Sequence, residues 1–283
     1  MDDLRLAALA TLATCAACAT CAPCAALATT SPSVAFATTP LLAVSAASPD
    51  DVAPLFDGVS LQGWSGDDRF WSVEDGAIVG RSTAQTPCER NTYLIHEGEF
   101  DDFELRLEFA IDGGNSGIQY RSRDLGDFAV AGYQADLEAG PNYTGILYEE
   151  KGRGIVAWRG ERVRIEADGS KTASPDLGDR AALQSAIKPG WNEYVIRAVG
   201  PTLTHTINGV PMVEVVDLAP QAAARGRIAL QLHAGPPMTV RYRNIALQPL
   251  EADELDDAGG PSAAPPSPPP LEPSLEAGDV AWI

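Results

Sequence analysis

The sequence predicts an all-β fold, a β-sandwich or jelly roll of two antiparallel sheets. Apolar and polar residues alternate with a period of two over many short runs between residues 54 and 250, and Gly, Asn and Asp separate the runs. No window has convincing helical periodicity beyond a short turn around 180–187. Short strands with turns about every eight to twelve residues are typical of sandwiches and jelly rolls.

The individual strands follow from local pattern. Phe103, Leu105, Leu107 and Phe109 alternate with charged residues, as in a strand with one buried face, and 238–243 repeats the pattern. Glu74-Asp75-Gly76 lies between two apolar runs and predicts a hairpin. Asn208-Gly209 lies between 205–207 and 210–213, and Asn-Gly is the strongest short hairpin signal.

Charge and composition divide the chain into three parts. The 283 residues carry a net charge of −19; residues 251–283 hold eight acids and no base, and residues 1–47 carry −1, which leaves −10 for residues 48–250. No positive field is present to neutralise phosphates, so nucleic acid is excluded as a partner. The Pro-rich, acidic segment 251–283 is predicted to be disordered, because it cannot bury enough apolar surface.

Residues 1–47 are predicted to be a signal peptide and low-complexity leader. Leu4–Ala28 is apolar and ends on Ala26-Leu27-Ala28, a small-x-small cleavage pattern. This predicts an exported protein, periplasmic or extracellular, without a transmembrane span in the mature chain. Cys15 follows an imperfect lipobox, so a lipoprotein anchor stays open. An iron–sulfur or zinc site in CAACATCAPC is disfavoured, because no polar group lies between the cysteines to orient thiolates.

The domain 48–250 resembles the 3-keto-disaccharide hydrolase domain family. The resemblance runs from about Pro54 to Leu250 and is carried, in order, by LFDGVSLQGW, WSVEDGAIVG, DFELRLEFAI, GNSGIQYRSR, GYQADLE, YTGILYEEKGRG, WNEYVIRAVG, INGVPMVEV and GRIALQLHAGPPMTVRYRNIAL. It implies a concanavalin A-like β-sandwich of two curved sheets. It also implies hydrolysis of glycosides oxidised at C3, with a carbohydrate as partner.

Strand alternation places polar side chains in three rows. The rows are Asn115, Gln119 and Arg121; Gln134, Asp136 and Glu138; and Gln231 with His233. If the rows lie side by side, they line a groove with amide, carboxylate, guanidinium and imidazole groups.

A 3-keto sugar explains why such groups would be needed. The C3 carbonyl acidifies the C2 proton, so the aglycone at C1 can leave by elimination through an enolate. We expect His233 to act as the base and Arg121 to hold the enolate charge. Asp136 and Glu138 act as acid or base, or bind a divalent cation, the one cofactor left open.

The remaining candidates bind sugar. These are the amides Asn115, Gln119, Gln134 and Gln231, together with Tyr148, Glu149, Glu150 and Trp158 at the rim. Gln134-x-Asp136-x-Glu138 also resembles the ExDxE row of retaining sandwich glycosidases. Gln134 stands in the place of the nucleophile, which disfavours retaining hydrolysis there. His96 and His205 are expected to be structural.

Two functions stay open. The first is an exported hydrolase that cleaves 3-keto-glycosides or 3-keto-disaccharides at C1, by hydrolysis or by elimination and hydration. The alternative is a non-catalytic, lectin-like glycan-binding module on the same sandwich.

Overall fold

The fold is seen in a computed structural model that describes residues 52–250. The predicted leader (1–47) and acidic tail (251–283) lie outside the described residues, so export and anchoring stay predictions. Among residues 52–250, no helix is long and apolar enough to cross a membrane.

Seventeen strands and one short helix make up the described part of the chain. In order they are β1 (Ala53–Pro54), β2 (Trp64–Ser65), β3 (Trp71–Glu74), β4 (Ala77–Ser82), β5 (Thr92–Phe100), β6 (Phe103–Asp112), β7 (Asn115–Gly126), β8 (Ala129–Glu138), β9 (Leu147–Glu150), β10 (Gly154–Ala157), β11 (Arg162–Ile165), β12 (Lys171–Ser174), α1 (Arg180–Gln184), β13 (Asn192–Val199), β14 (Thr202–Ile207), β15 (Val210–Asp217), β16 (Gly226–Leu232) and β17 (Met238–Pro249).

The strands form two sheets, which confirms the predicted β-sandwich. The ten-stranded sheet has the order β12-β11-β15-β14-β13-β6-β17-β4-β3, with β1 on β17, and the seven-stranded sheet has the order β10-β9-β8-β7-β16-β5-β2. All named pairs are antiparallel except β11 with β15. The sequence predicted two antiparallel sheets; the seven-stranded sheet is antiparallel, whereas the ten-stranded sheet includes this one parallel pair.

Both predicted hairpins form. Asp75-Gly76 joins β3 to β4 with φ of 50° and 73°, and Asn208-Gly209 joins β14 to β15 with φ of 50° and 77°. Two successive positive φ angles define the type I′ turn that matches the twist of the flanking strands.

The main core lies between the two sheets. Phe103, Leu105 and Leu107 of β6 are buried there, and Ile228 and Leu230 of β16 face them from the other sheet. Trp64 and Trp71 are also buried in this core. Trp191 is only half-buried and lies beneath the Arg243 guanidinium.

His205 is fully buried in the core, and the prediction of a structural role is consistent with its contacts. Its Nε2 lies 3.0 Å from the Tyr120 hydroxyl, and its Nδ1 lies 3.2 Å from that of Tyr194. Burial lowers the pKa of His205 from 6.5 to about 3. The imidazole is therefore neutral at physiological pH.

The seven-stranded sheet has a second face, turned away from the main core. A small apolar cluster of Tyr93, Ile95, Val130 and Ala229 lies on this face. Because side chains alternate along each strand, the residues between those of the main core also point to this side. The functional cleft is built on this face.

Candidate functional site

A cleft of about 690 Å³ opens on this second face. This volume lies within the range of about 300–1,000 Å³ typical of small-molecule sites. Strands β7, β8, β9, β10 and β16 and the loop 139–146 contribute its walls. Eight of the sequence-predicted residues line it: Asn115, Gln134, Asp136, Glu138, Tyr148, Glu150, Gln231 and His233.

Asp136 is a nearly buried carboxyl in the cleft wall, 6% exposed. Asn115 Nδ2 donates to its Oδ2 at 3.1 Å, and Gln134 Nε2 donates to its Oδ1 at 2.6 Å. Burial nevertheless raises its pKa from 3.8 to about 7, because desolvation outweighs the two amide hydrogen bonds; the charges of Glu138 and Glu150 raise it further. The group therefore exchanges its proton near neutral pH.

A chain of amides runs through the sheet to Asp136. Ser122 Oγ donates to Gln119 Oε1 (2.6 Å), and Gln119 Nε2 donates to Gln134 Oε1 (2.7 Å). Gln134 in turn donates to Asp136, so every donor in the chain points towards the carboxyl. Gly117 is required beside it, since a Cβ there would overlap the Gln134 side chain.

His233 stands on the other side of β7 from Asp136. Its Nδ1 lies 2.6 Å from the Ala234 carbonyl, which can only accept, so Nδ1 carries the proton in the neutral ring. Nε2 has no hydrogen bond to any residue in the described range and is free to accept a proton. The Asn91 Oδ1, which accepts from Ala234 N at 3.0 Å, holds this segment in place.

Gln231 offers a buried acceptor to the cleft. It is 1% exposed, and its Nε2 donates to the Tyr93 hydroxyl at 2.8 Å. Its Oε1 is buried without a hydrogen-bond partner within residues 52–250. Because a buried unpaired acceptor is costly, a ligand hydroxyl that donates to it would be stabilising.

Glu138 holds the loop beside the cleft. Its Oε2 accepts from the backbone N–H groups of Asn142 (2.8 Å) and Tyr143 (3.0 Å). Its own N–H and C=O groups bond the Thr144 hydroxyl. These contacts give Glu138 a positioning role that its residue type alone did not indicate.

The prediction for Arg121 is wrong, because the side chain lies outside the cleft. It is 2% exposed and donates to the carbonyls of Asp101 (2.8 Å) and Gly200 (2.7 Å) and to the Asp102 carboxylate (2.6 Å). The cause is a β-bulge: the register of β7 against β8 shifts between Tyr120 and Arg123, and Arg121 has a φ of 45°. The bulge ends the alternation on which the assignment depended.

Three further candidates do not line the cleft. Gln119 is buried and touches it only through Gln134. Glu149 points to the other face and pairs with Arg153, whereas its neighbour Glu150 lines the cleft. Trp158 lies behind Tyr143, with the two rings stacked at 6.2 Å.

Sequence reasoning missed two polar lining residues, Asn91 and Tyr143, whereas Glu150, expected at the rim, does line the cleft. Glu150 shares a strand face with Tyr148 two residues earlier. Asn91 and Tyr143 lie in loops, where no periodicity indicates a face.

No cluster of three or more His, Cys, Asp or Glu side chains within residues 52–250 is arranged to hold a metal ion. Both Asp136 oxygens already accept amide hydrogen bonds, and Glu138 Oε2 accepts two more. The cation hypothesis therefore gains no support from the described residues.

The fold and the cleft together define a β-sandwich domain with a polar site of small-molecule size and two groups able to transfer protons. The chain belongs to the 3-keto-alpha-glucoside-1,2-lyase-like domain family, whose model matches residues 51–248. The family is carbohydrate-active, as the resemblance implied. Comparison with curated protein sequences finds no match.

Solved structures with a similar fold include three carbohydrate-related proteins. A protein provisionally described as a glycosyl hydrolase from Parabacteroides distasonis is 18% identical, with a TM-score of 0.48 over 71% of this chain and 100% of its own. Carbohydrate-binding module CBM66 from Bacillus subtilis is 14% identical, with a TM-score of 0.45 over 66% and 95%. A β-1,3-1,4-glucanase from a mouse hindgut metagenome is 10% identical, with a TM-score of 0.44 over 71% and 99%.

Proposed function

We propose that the cleft binds a glycoside oxidised at C3 and eliminates its aglycone across C1–C2. One observation carries this proposal: the same cleft holds Asp136, whose pKa burial raises to about 7, and His233, whose Nε2 is free. Such a pair supplies an acid and a base in one cleft. A module that only binds glycans needs neither.

The reaction begins at C2. His233 Nε2 takes the C2 proton, and the electron pair of that C–H bond moves towards the C3 carbonyl to form an enolate. The enolate then collapses, so that a C1=C2 double bond forms as the bond from C1 to the aglycone oxygen breaks. Asp136 gives its proton to the departing oxygen, and addition of water to the double bond completes a net hydrolysis.

Neutral donors would stabilise the enolate oxygen in place of Arg121. The Tyr148 hydroxyl lines the cleft and makes no hydrogen bond to the described residues. Asn115 Nδ2 uses one N–H on Asp136 and has a second to offer. Donors already in position cost little reorganisation as charge develops.

The test compares oxidised and unoxidised substrates. We expect the full chain to release aglycone from methyl 3-keto-α-glucoside and none from methyl α-glucoside, with and without a chelator. His233→Gln should abolish release, whereas the control His96→Gln, which alters a histidine outside the cleft lining, should not. Release from the unoxidised parent at a similar rate would refute the proposal.

The binding-module alternative is supported by the unpaired Oε1 of Gln231. A hydrogen bond from a sugar hydroxyl to this atom would add affinity without any part in catalysis. It predicts that both glucosides bind without release. Calorimetry on the same two sugars, with product analysis, separates the two functions.

A further inference from the structure

An aromatic platform stands at the mouth of the cleft, formed by Tyr143, Trp158 and Arg180. The Tyr143 ring lines the cleft and is stacked on Trp158, with a centroid distance of 6.2 Å and an interplanar angle of 23°. The Arg180 guanidinium lies 4.1 Å from the Trp158 ring centroid. Tyr143 is 39% exposed, and Trp158 is its only ring contact within residues 52–250, so its other ring face is uncovered.

The platform is held in place before any ligand arrives. Glu138 fixes the backbone of Tyr143, as described above. Arg159 is 2% exposed and donates to the carbonyls of Pro141 (2.9 Å) and Thr144 (2.6 Å), which flank Tyr143 in the chain. It also donates to the Arg180 carbonyl (3.1 Å). A buried arginine therefore ties the loop to α1, and little ordering entropy is lost on binding.

The position of the loop assigns the platform to the leaving group. Tyr143 follows Asp136 on the same strand and loop, and Asp136 is the acid that meets the departing oxygen in the proposed reaction. Glu138 lies two positions after Asp136, about 7 Å along the strand, and its carboxylate accepts from the Tyr143 N–H. Asp136 and Tyr143 both line the cleft, so a ring bonded to the departing oxygen can extend towards Tyr143.

The charge of the cleft restricts what can occupy this position. Asp136, Glu138 and Glu150 line it, and no Lys or Arg does so among the described residues. A carboxylate, sulfate or phosphate on the ligand would meet repulsion from Glu138 and Glu150, whereas Arg180 contacts Trp158 and is not among the lining residues.

We propose that Tyr143 is the stacking surface of a leaving-group subsite, which takes an uncharged pyranose ring and selects against leaving groups that carry an anion. An aromatic face packs against the C–H face of a pyranose, and Tyr143 offers that face. The assignment of Tyr143 to the leaving-group side rests on the proposed function, whereas stacking of a sugar ring on Tyr143 requires no catalysis.

The experiment compares substrates with and without a leaving-group ring. For wild type, kcat/KM should be higher for 3-keto-maltose, oxidised on its non-reducing ring, than for methyl 3-keto-α-glucoside. Tyr143→Ala should reduce that ratio about fivefold or more, in line with the strength of aromatic contacts, and Tyr143→Phe should keep it. A leaving group that carries a carboxylate, such as glucuronic acid, should be a poorer substrate than its neutral counterpart.

A binding measurement keeps this inference separate from the proposed function. If wild type binds maltose by calorimetry more tightly than Tyr143→Ala does, yet releases nothing from either keto sugar, the proposed function fails and the stacking subsite stands. If the substrate ratio and the maltose affinity are both unchanged in Tyr143→Ala, the subsite is refuted. Absence of both binding and turnover in wild type would refute both.

Discussion

The chemistry of the cleft depends most on one residue, Asp136. Its carboxyl accepts two amide hydrogen bonds, which favour the charged form, but burial and two neighbouring carboxylates oppose them more strongly. Each oxygen keeps a lone pair beyond the one that its amide donor occupies. A proton can therefore be held there and passed to a substrate oxygen.

If Asp136 is the acid, the effect of its loss depends on the leaving group. Asp136→Asn should reduce kcat about a hundredfold or more for methyl 3-keto-α-glucoside, the usual range for a general acid. The loss should be much smaller for the p-nitrophenyl 3-keto-glucoside, because nitrophenolate leaves without a proton. His233→Gln should slow both substrates equally, since both lose the C2 proton. Equal losses for both substrates in Asp136→Asn would contradict the assignment.

The pH profile gives a second test of the same group. The acid form of Asp136 is required, so kcat/KM for the methyl glucoside should fall as pH rises through about 7. Glu150→Gln removes a charge that raises this pKa, and should move the falling limb to lower pH. Glu149→Gln is the matched control, because Glu149 faces Arg153 on the other side of the sheet. An unmoved limb in Glu150→Gln would show that another group controls it.

At the residue scale, sequence alternation predicted most of the cleft, because each strand face follows a parity. Asn115, Gln134, Asp136, Tyr148, Gln231 and His233 all line it. Strict alternation of side chains along a strand does not reveal a β-bulge, and the bulge in β7 therefore put Arg121 on the wrong face in the prediction. Alternation also gave no information on loops, and so missed Tyr143.

At the scale of elements, Arg121 ties three loops to the end of the seven-stranded sheet. Its guanidinium reaches the β5–β6 turn at Asp101 and Asp102, the β13–β14 turn at Gly200, and Ala223 before β16. Bulges in β7 and β16 occur close to this point. The residue therefore stabilises the fold and lies away from the chemistry.

Arg121→Met should therefore destabilise the protein and spare catalysis. It removes the cation that pairs with the Asp102 carboxylate, which then keeps only the Gly200 N–H as donor, and it leaves buried carbonyls unpaired. The free energy of unfolding should fall by about 3 kcal/mol. Urea unfolding measures this change, and kcat at 20 °C on folded protein should stay close to wild type. Lost activity with unchanged stability would restore the catalytic role that the sequence predicted.

Short-range signals predicted the elements well, and long-range pairings less so. The Asp75-Gly76 and Asn208-Gly209 turns and the helix at 180–184 formed where they were expected, because two to five residues specify each. The parallel pairing of β11 with β15 joins segments about fifty residues apart. No local pattern encodes such a pairing.

At the scale of the whole molecule, two buried groups give the stability opposite pH dependences. His205 lies in the main core and keeps a pKa of about 3, so the unfolded chain binds its proton first as pH falls below about 6.5. This lowers stability in acid. Asp136 lies on the second sheet face with a pKa of about 7, so the folded state binds its proton first, and its contribution to stability rises as pH falls from 7 towards 3.8.

Single substitutions should separate the two effects. Each group contributes up to about 1.4 kcal/mol per pH unit within its range, so between pH 6.5 and 4.5 they should largely cancel in wild type. Asp136→Asn should lose the stabilising slope and become about 2 kcal/mol less stable over that interval relative to wild type. His205→Gln should lose the destabilising slope and become about 2 kcal/mol more stable over that interval relative to wild type. Urea unfolding at pH 6.5, 5.5 and 4.5 measures the free energy of unfolding of the three proteins. If it changes with pH in the same way in all three, the two groups do not have opposite effects on stability. The prediction belongs to the molecule as a whole because the two groups lie on different sheets, His205 on β14 of the ten-stranded sheet and Asp136 on β8 of the seven-stranded sheet. As pH falls, acid therefore protonates the cleft before it can disturb the core.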